Sequence, residues 1–252
     1  MTNVVSRGRV RAEQGQKRVR GYIDGHLVVD TTRPWLVWEK PYYPTYYVPA
    51  EHVVDGVLVP TGRTKRSPSR GDADLHDLHV GDRTITDGAY AYPTSPIEEL
   101  QGLVAFRWDA VDAWFEEDEE VFVHPRDPYT RVDILPSSRR VQIVVDGETV
   151  ADTTHARFLY ETGLPTRYYV PKVDVRLDLL TATDSVTHCP YKGTAEYWTV
   201  TAGGTEHTDL AWSYATPVQE SLRVAGLVAF YNERADIYVD GELQDRPVTH
   251  FS

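Results

Sequence analysis

The sequence has 252 residues, 41% hydrophobic and 25% charged, with a formal net charge of −12. That length suits one large domain or two small ones with enough apolar material for a core. The acidic balance argues against general binding to phosphate backbones or anionic lipid, so no nucleic-acid or membrane partner is expected, and no apolar run reaches the roughly 18 residues of a membrane span. Met1 to Arg9 lack a signal-peptide stretch, so the expected location is cytoplasmic. A single cysteine, Cys189, excludes an internal disulfide and a four-thiolate zinc site. Six Trp and 16 Tyr against one Met suit half-buried pleated surfaces.

In chain order, the first punctuation is Ile23-Asp24-Gly25, and the same pattern returns as Val54-Asp55-Gly56, Val145-Asp146-Gly147 and Val239-Asp240-Gly241. A two-residue Asp-Gly loop suits a type I′ turn, because Gly accepts positive φ, and these sites read as hairpins. Ser95-Pro96-Ile97-Glu98 reads as an N-cap, a first-turn Pro and a capping-box Glu, with Gly102 as the stop. An acidic run, Glu116 to Glu120, leads to the Pro-rich His124-Pro125-Arg126-Asp127-Pro128, where a boundary is expected. Beyond it, Val141, Ile143 and Val145 alternate as a strand, and Thr194 to Thr201 is another. Thr216-Pro217-Val218-Gln219 repeats the helix-start logic, Gly226 the stop, and Ala229 to Val239 reads as a final strand pair.

The chain is a tandem duplication. At an offset of 122, Asp30-Thr31-Thr32 matches Asp152-Thr153-Thr154, Glu39 matches Glu161, and Tyr46-Tyr47-Val48-Pro49 matches Tyr168-Tyr169-Val170-Pro171. Residues 9–53 give 16 identities in 45 positions. Chance would give about three. Later the offset is 124, and Gly102-Leu103-Val104-Ala105-Phe106 returns unchanged from Gly226. The expected organisation is therefore a first repeat over 1–124 and a second over 125–252. Each should be mainly β, built of antiparallel hairpins with one short capped helix. A duplicated chain of this kind suits a monomer acting as a fused pseudo-dimer.

The copies differ in their middle. The second reads Thr187-His188-Cys189-Pro190-Tyr191-Lys192-Gly193 where the first reads Lys65-Arg66-Ser67-Pro68-Ser69-Arg70-Gly71. Pro and Gly persist, but the His and the thiol do not. Ala211-Trp212-Ser213-Tyr214 faces Ala89-Tyr90-Ala91-Tyr92, and Trp198 faces His76. On this comparison the first repeat keeps the scaffold and the second carries the reactive set.

The residues Thr-x-His-Cys-Pro-Tyr-Lys-Gly with Tyr197-Trp198, Ala-Trp-Ser-Tyr, Gly-Leu-Val-Ala-Phe-Tyr, Tyr-Tyr-Val-Pro-x-x-Asp-Val-Arg-x-Asp-Leu-Leu (168–180) and Ser-Ser-Arg-Arg-Val (137–141) resemble the bacterial domain-of-unknown-function family 427. The resemblance covers nearly all of the second repeat and, weakly, the first. It implies a compact β fold similar to the β-tent or Mss4-like topology, often in tandem. Relatives of that topology commonly hold zinc with Cys-x-x-Cys pairs, which one cysteine does not allow. The family's nucleotidyltransferase-like label brings no established activity.

The expected site lies in the second repeat. His188 would act as acid or base and Cys189 as nucleophile, provided a turn brings these chain neighbours to one side. Lys192 would hold an anionic group. Tyr168, Trp198, Trp212 and Tyr214 would wall a pocket for a small polar or anionic ligand, with Glu161 as a retained carboxylate. The bland readings stand beside these. A lone Cys is most often a small core residue, Lys192 a solvated turn lysine, Glu161 an ion-pair partner of Arg167 or Arg176, and strand aromatics plain core. The alternative overall is thus a non-catalytic structural or interaction module. Asp72-Ala73-Asp74 imitates a metal-binding pair without a Gly-Ser lead, and His76 with His79 is a weak metal pattern. No dinucleotide fingerprint, phosphate loop or nucleophile elbow occurs, so no cofactor or metal is expected. The basic residues Arg7, Arg9, Arg11, Lys17, Arg18 and Arg20 are expected to pair with the protein's own carboxylates or stay solvated.

Overall fold

The computed structural model describes residues 4–7 and 10–249, and the chain divides into two compact units, Met1–Asp127 and Pro128–Ser252. The division falls three residues beyond the position read from the Pro-rich stretch.

The first unit contains an eight-stranded antiparallel sheet in the spatial order Val4–Arg7, Val10–Gln14, Trp35–Trp38, Thr45–Pro49, Leu103–Phe106, Arg83–Ala91, Gly71–Val80, Leu58–Ser67. A smaller sheet runs Glu119–Val121, Ala113–Glu116, Val19–Ile23, His26–Thr31. The second unit repeats this plan. Its small sheet runs Glu148–Thr153, Val141–Val145, Asp236–Val239, Glu242–Leu243. Its larger sheet is divided in two, with Val132–Pro136, Arg157–Glu161 and Arg167–Tyr169 on one side. Val228–Phe230, Thr205–Ser213, Gly193–Ala202 and Leu180–Cys189 form the other, and a Val170–Val228 bridge joins the halves.

The duplication holds to the residue in the three longest strands. Leu58–Ser67, Gly71–Val80 and Arg83–Ala91 return 122 positions later as Leu180–Cys189, Gly193–Ala202 and Thr205–Ser213. The register shifts repeat too, between His76 and Leu78 and between Trp198 and Val200. In each case the extra residues lie on the third strand of the three, Arg83–Ala91 or Thr205–Ser213.

Asp24-Gly25, Asp146-Gly147 and Asp240-Gly241 have positive φ at both residues, as a type I′ hairpin requires. Val54-Asp55-Gly56 differs. Only its Gly56 has positive φ, and the turn leads from a short 3-10 segment into Leu58–Ser67 rather than closing a hairpin. The expected last pair also differs, because Val228–Phe230 and Asp236–Val239 belong to separate sheets. The helical segments expected after Ser95 and Thr216 are 3-10 turns, Glu98–Leu100 and Gln219–Val224. Ser95 Oγ accepts from the Ile97 amide at 3.1 Å, but the residue that begins the turn is Ile97 itself.

Much of the basic arm is bound to the protein's own acids. Arg11 meets Glu13, Lys17 meets Glu116, Arg18 meets Asp30 and Arg20 meets Asp118. The Arg7 side chain and Arg9 lie outside the described residues. Among the described residues no helix is long and apolar enough to cross a membrane.

Candidate functional site

Strand Leu180–Cys189 runs straight through His188 and Cys189, and the turn comes only afterwards, at Pro190 to Lys192. Adjacent strand residues face opposite ways. The expected imidazole–thiol pair is therefore not formed. His188 is exposed, with Nδ1 3.0 Å from Thr194 Oγ1 on the neighbouring strand. Cys189 is half-buried. The turn closes with the Lys192 amide donating to the Cys189 carbonyl at 3.3 Å, and Gly193 follows at φ 99°. A side chain there would be strained and would meet the Val218 nitrogen at 3.3 Å, so only glycine suits this turn.

This turn directs Lys192 inward. Its ammonium lies 2.5 Å from Glu161 Oε2, with 11% and 8% of the two side chains exposed. Burial lowers the Lys192 pKa, but Cys189 and Glu161 outweigh it and leave the pKa raised, so the group is an ammonium at neutral pH. The sequence paired Glu161 with Arg167 or Arg176. Instead Arg176 holds Asp178 and Arg167 holds Glu233, and the solvated-turn reading of Lys192 gives way to a buried ion pair.

Trp212 and Tyr214 belong to the core cluster on this side, with Tyr169 and Tyr197. Trp212 Nε1 donates to Tyr169 Oη at 3.2 Å. Burial, reinforced by Tyr169 and Cys189, holds the Tyr214 phenol far above its ordinary pKa, so it stays neutral. Tyr168 and Trp198 do not join them. Both pack with the other cluster, around Ile143, Val200 and Leu210, and Lys172 Nζ sits 5.4 Å from the Trp198 ring centre. The expected four-sided aromatic wall is thus split between two faces of the unit. Two wall residues were missed, Tyr169 and Tyr197. Period two applied to the Tyr168-Tyr169 and Tyr197-Trp198 pairs would have put one member of each on the motif side.

The first repeat has the same construction with other groups. Arg70 pairs with Glu39, and Glu39 Oε1 also accepts from Tyr47 at 2.5 Å and Tyr90 at 2.9 Å. Ser67 stands where Cys189 stands and accepts from Arg70 Nε at 3.2 Å. Beside this cluster opens a cavity of about 250 Å³, walled by Tyr46, Tyr90, Phe106, Trp108 and Trp114, with Glu39, Lys40 and Arg107 in its lining.

The equivalent place in the second repeat holds a side chain. Arg167, at the position of Thr45, reaches Asn232 Oδ1 at 2.6 Å and Glu233 at 2.6 and 2.7 Å. Its guanidinium lies 5.7 Å from the ring centres of both Trp212 and Tyr231. Those partners, Trp212, Tyr231 and Asn232, stand at the positions of Tyr90, Arg107 and Trp108. Among the described residues no group of three or more His, Cys, Asp or Glu is placed to hold a metal, and Asp72 faces Arg66.

A family model described as a domain of unknown function, DUF427, matches residues 11–117 and again 133–241. The two matches cover most of the sequence, and the chain belongs to that family, in tandem form. No curated protein matches the chain.

Proposed function

We propose that this tandem DUF427 protein binds a small polar or anionic ligand at the inward turn of its second repeat, where Cys189, Lys192 and Glu161 meet Tyr169, Trp212 and Tyr214. The observation that carries the reading is the buried Lys192–Glu161 pair beside a half-exposed thiol. A buried ion pair is often less stabilising than an apolar replacement of the same shape, so its presence calls for another reason. The first repeat keeps the cation and carboxylate as Arg70 and Glu39 but has the inert Ser67 in place of the thiol. A ligand anion would compete with Glu161 for Lys192, and Cys189 is the group able to react with it. His188 takes no part at the thiol, because it lies on the other side of the strand.

A second reading is favoured by a specific observation: Lys192 is already satisfied by Glu161, and Tyr169, Trp212 and Tyr214 are core residues. On that reading the motif is a structural lock in a binding or interaction module. One experiment separates the two. Native protein is treated with iodoacetamide across pH and the Cys189 adduct followed by mass spectrometry, alongside a melting-shift screen of small metabolite acids. Labelling in the folded state, suppressed by an acid that also raises the melting temperature, supports the site. A thiol silent until unfolding, with no acid shifting the melt, leaves the lock.

A further inference from the structure

The first-repeat cavity stands apart from the thiol turn and goes beyond that reading. Its shape has a built-in reference, because the twin repeat shows what fits there. In the second repeat the space holds a flat group, the Arg167 guanidinium, against the contacting rings of Trp212 and Tyr231, anchored by the fully buried Glu233 carboxylate. In the first repeat Thr45 is too short to reach in, and a space of about 250 Å³ is left open beside Trp108 and Trp114.

The charges around the space are also reversed. Asp109, at the position of Glu233, is 77% exposed and 3.5 Å from Arg107, so it supplies no buried anion. Glu39 is already held by Arg70 and two tyrosine hydroxyls. That leaves Lys40, which has no ion pair among the described residues, and Arg107 as the cations of the lining. The walls are aromatic: Trp108 and Trp114 stack with centroids 5.8 Å apart, and Tyr46 lies 5.5 Å from Trp114. The Trp114 Nε1 hydrogen has no acceptor among the described residues, which a wall serving only as core would normally supply.

We propose that the first repeat binds a small planar aromatic anion in this cavity, its ring against Trp108 and Tyr46 and its acid group toward Lys40 and Arg107. Aromatic walls with a few placed charges are the usual make-up of a small-molecule site, and the volume suits a ligand of one or two rings.

The test uses the full chain labelled with ¹⁵N and reads the six tryptophan indole N–H resonances, assigned by single Trp→Phe variants. Indole-3-acetate is titrated against tryptamine, which has the same ring and the opposite charge. The expected result is a saturable shift of the Trp108 and Trp114 signals by indole-3-acetate, weakened about two- to fivefold in Lys40→Ala or Arg107→Ala, since both cations are exposed and a charge contact there is of that order. Thr45→Arg with Asp109→Glu, which installs the twin's plug together with its anchoring carboxylate, should abolish the shift. Trp108→Asn does the same by a second route should the plug variant fail to fold. No shift from indole-3-acetate at millimolar concentration overturns the site. Stronger binding of tryptamine overturns the charge assignment. Binding that survives both Thr45→Arg with Asp109→Glu and, separately, Trp108→Asn overturns the location.

Discussion

At one place in the duplicated fold the first repeat has Thr45, Trp108 and a cavity, and the second has Arg167, Asn232 and Glu233 filling it. Around that place the volumes trade in pairs. Trp114 pairs with Gly21 across two strands of the first repeat, where the second pairs Ile237 with Ile143. Leu78 lies over Gly88, where the second repeat has Val200 and Leu210. Each exchange removes bulk from one strand and adds it to the next, which a close-packed interior demands. The lesson is that divergence went both ways. The second repeat has a thiol and an ion pair in its cleft, while the first has a serine and an opening.

The largest effects should come from the filling itself. Arg167→Ala leaves Glu233, with 0% of its side chain exposed, buried without its cation. We expect a loss of about 3–5 kcal/mol in urea denaturation. In the first repeat the carboxylate at the Glu233 position is Asp109, and Asp109→Ala should stay within about 0.5 kcal/mol, because that carboxylate is in water and holds no buried cation. Equal losses would show that the two repeats do not differ at this place.

Acid sharpens the same contrast. Burial alone would raise the Glu233 pKa, but hydrogen bonds from Arg167 and Thr249 prevail and hold it below its ordinary 4.5. A carboxyl depressed on folding stabilises the native state at neutral pH and loses that contribution as pH falls through its folded pKa. The native protein should therefore weaken below about pH 4.5, and Glu233→Gln should be less stable at neutral pH but show a shallower acid slope. An unchanged slope in the variant would remove Glu233 from the acid response.

The exchange of volumes is open to a direct cycle. A Cβ on Gly21 would sit 2.9 Å from Val29 Cγ1 and 3.1 Å from Trp114 Cζ3. Gly21→Ala should cost about 1–3 kcal/mol by overpacking. Gly21→Ile with Trp114→Ile copies the second repeat and should recover part of what Gly21→Ile alone loses. Additive losses, measured by denaturation of the two singles and the double, would deny the coupling.

Much of this was legible before any coordinates, because turn chemistry and period two are local. Three of the four Asp-Gly hairpins, the offset of 122 and the strand read over Thr194 to Thr201, which runs Gly193–Ala202, all follow from neighbours in sequence. What could not be read locally is which side of the sheet a residue serves. Ala195 and Tyr197 face one cluster while Trp198, Val200 and Ala202 face the other, so plain alternation along one strand serves two cores, and only the fold says which face meets which cluster. The pairing of His188 with Cys189 failed for the same reason of scale: it needed the turn one residue earlier than Pro190 places it. Nor does any single window show that Arg167 plugs the space that Thr45 leaves open, since its partners Asn232 and Glu233 lie more than sixty positions away. Setting the copies side by side at those positions would have raised the question.

The smallest predicted effect concerns one oxygen. Ser213 is 1% exposed, and its hydroxyl has no hydrogen-bond partner among the described residues. Its neighbours across the sheet are Glu196 and Val228. Ala91 occupies the same place in the first repeat, opposite Asp74 and Val104. The strand pairing is thus shared, but Ala91 is half-buried where Ser213 is buried. A buried hydroxyl without a partner has given up its water and gained nothing, so Ser213→Ala should stabilise the second repeat by roughly 1 kcal/mol. The reverse change, Ala91→Ser, should cost less than that, because the half-buried site leaves the hydroxyl access to water. If Ser213→Ala instead weakened the protein, the hydroxyl would have a bound partner on the Ala211 face of the strand, away from Trp212.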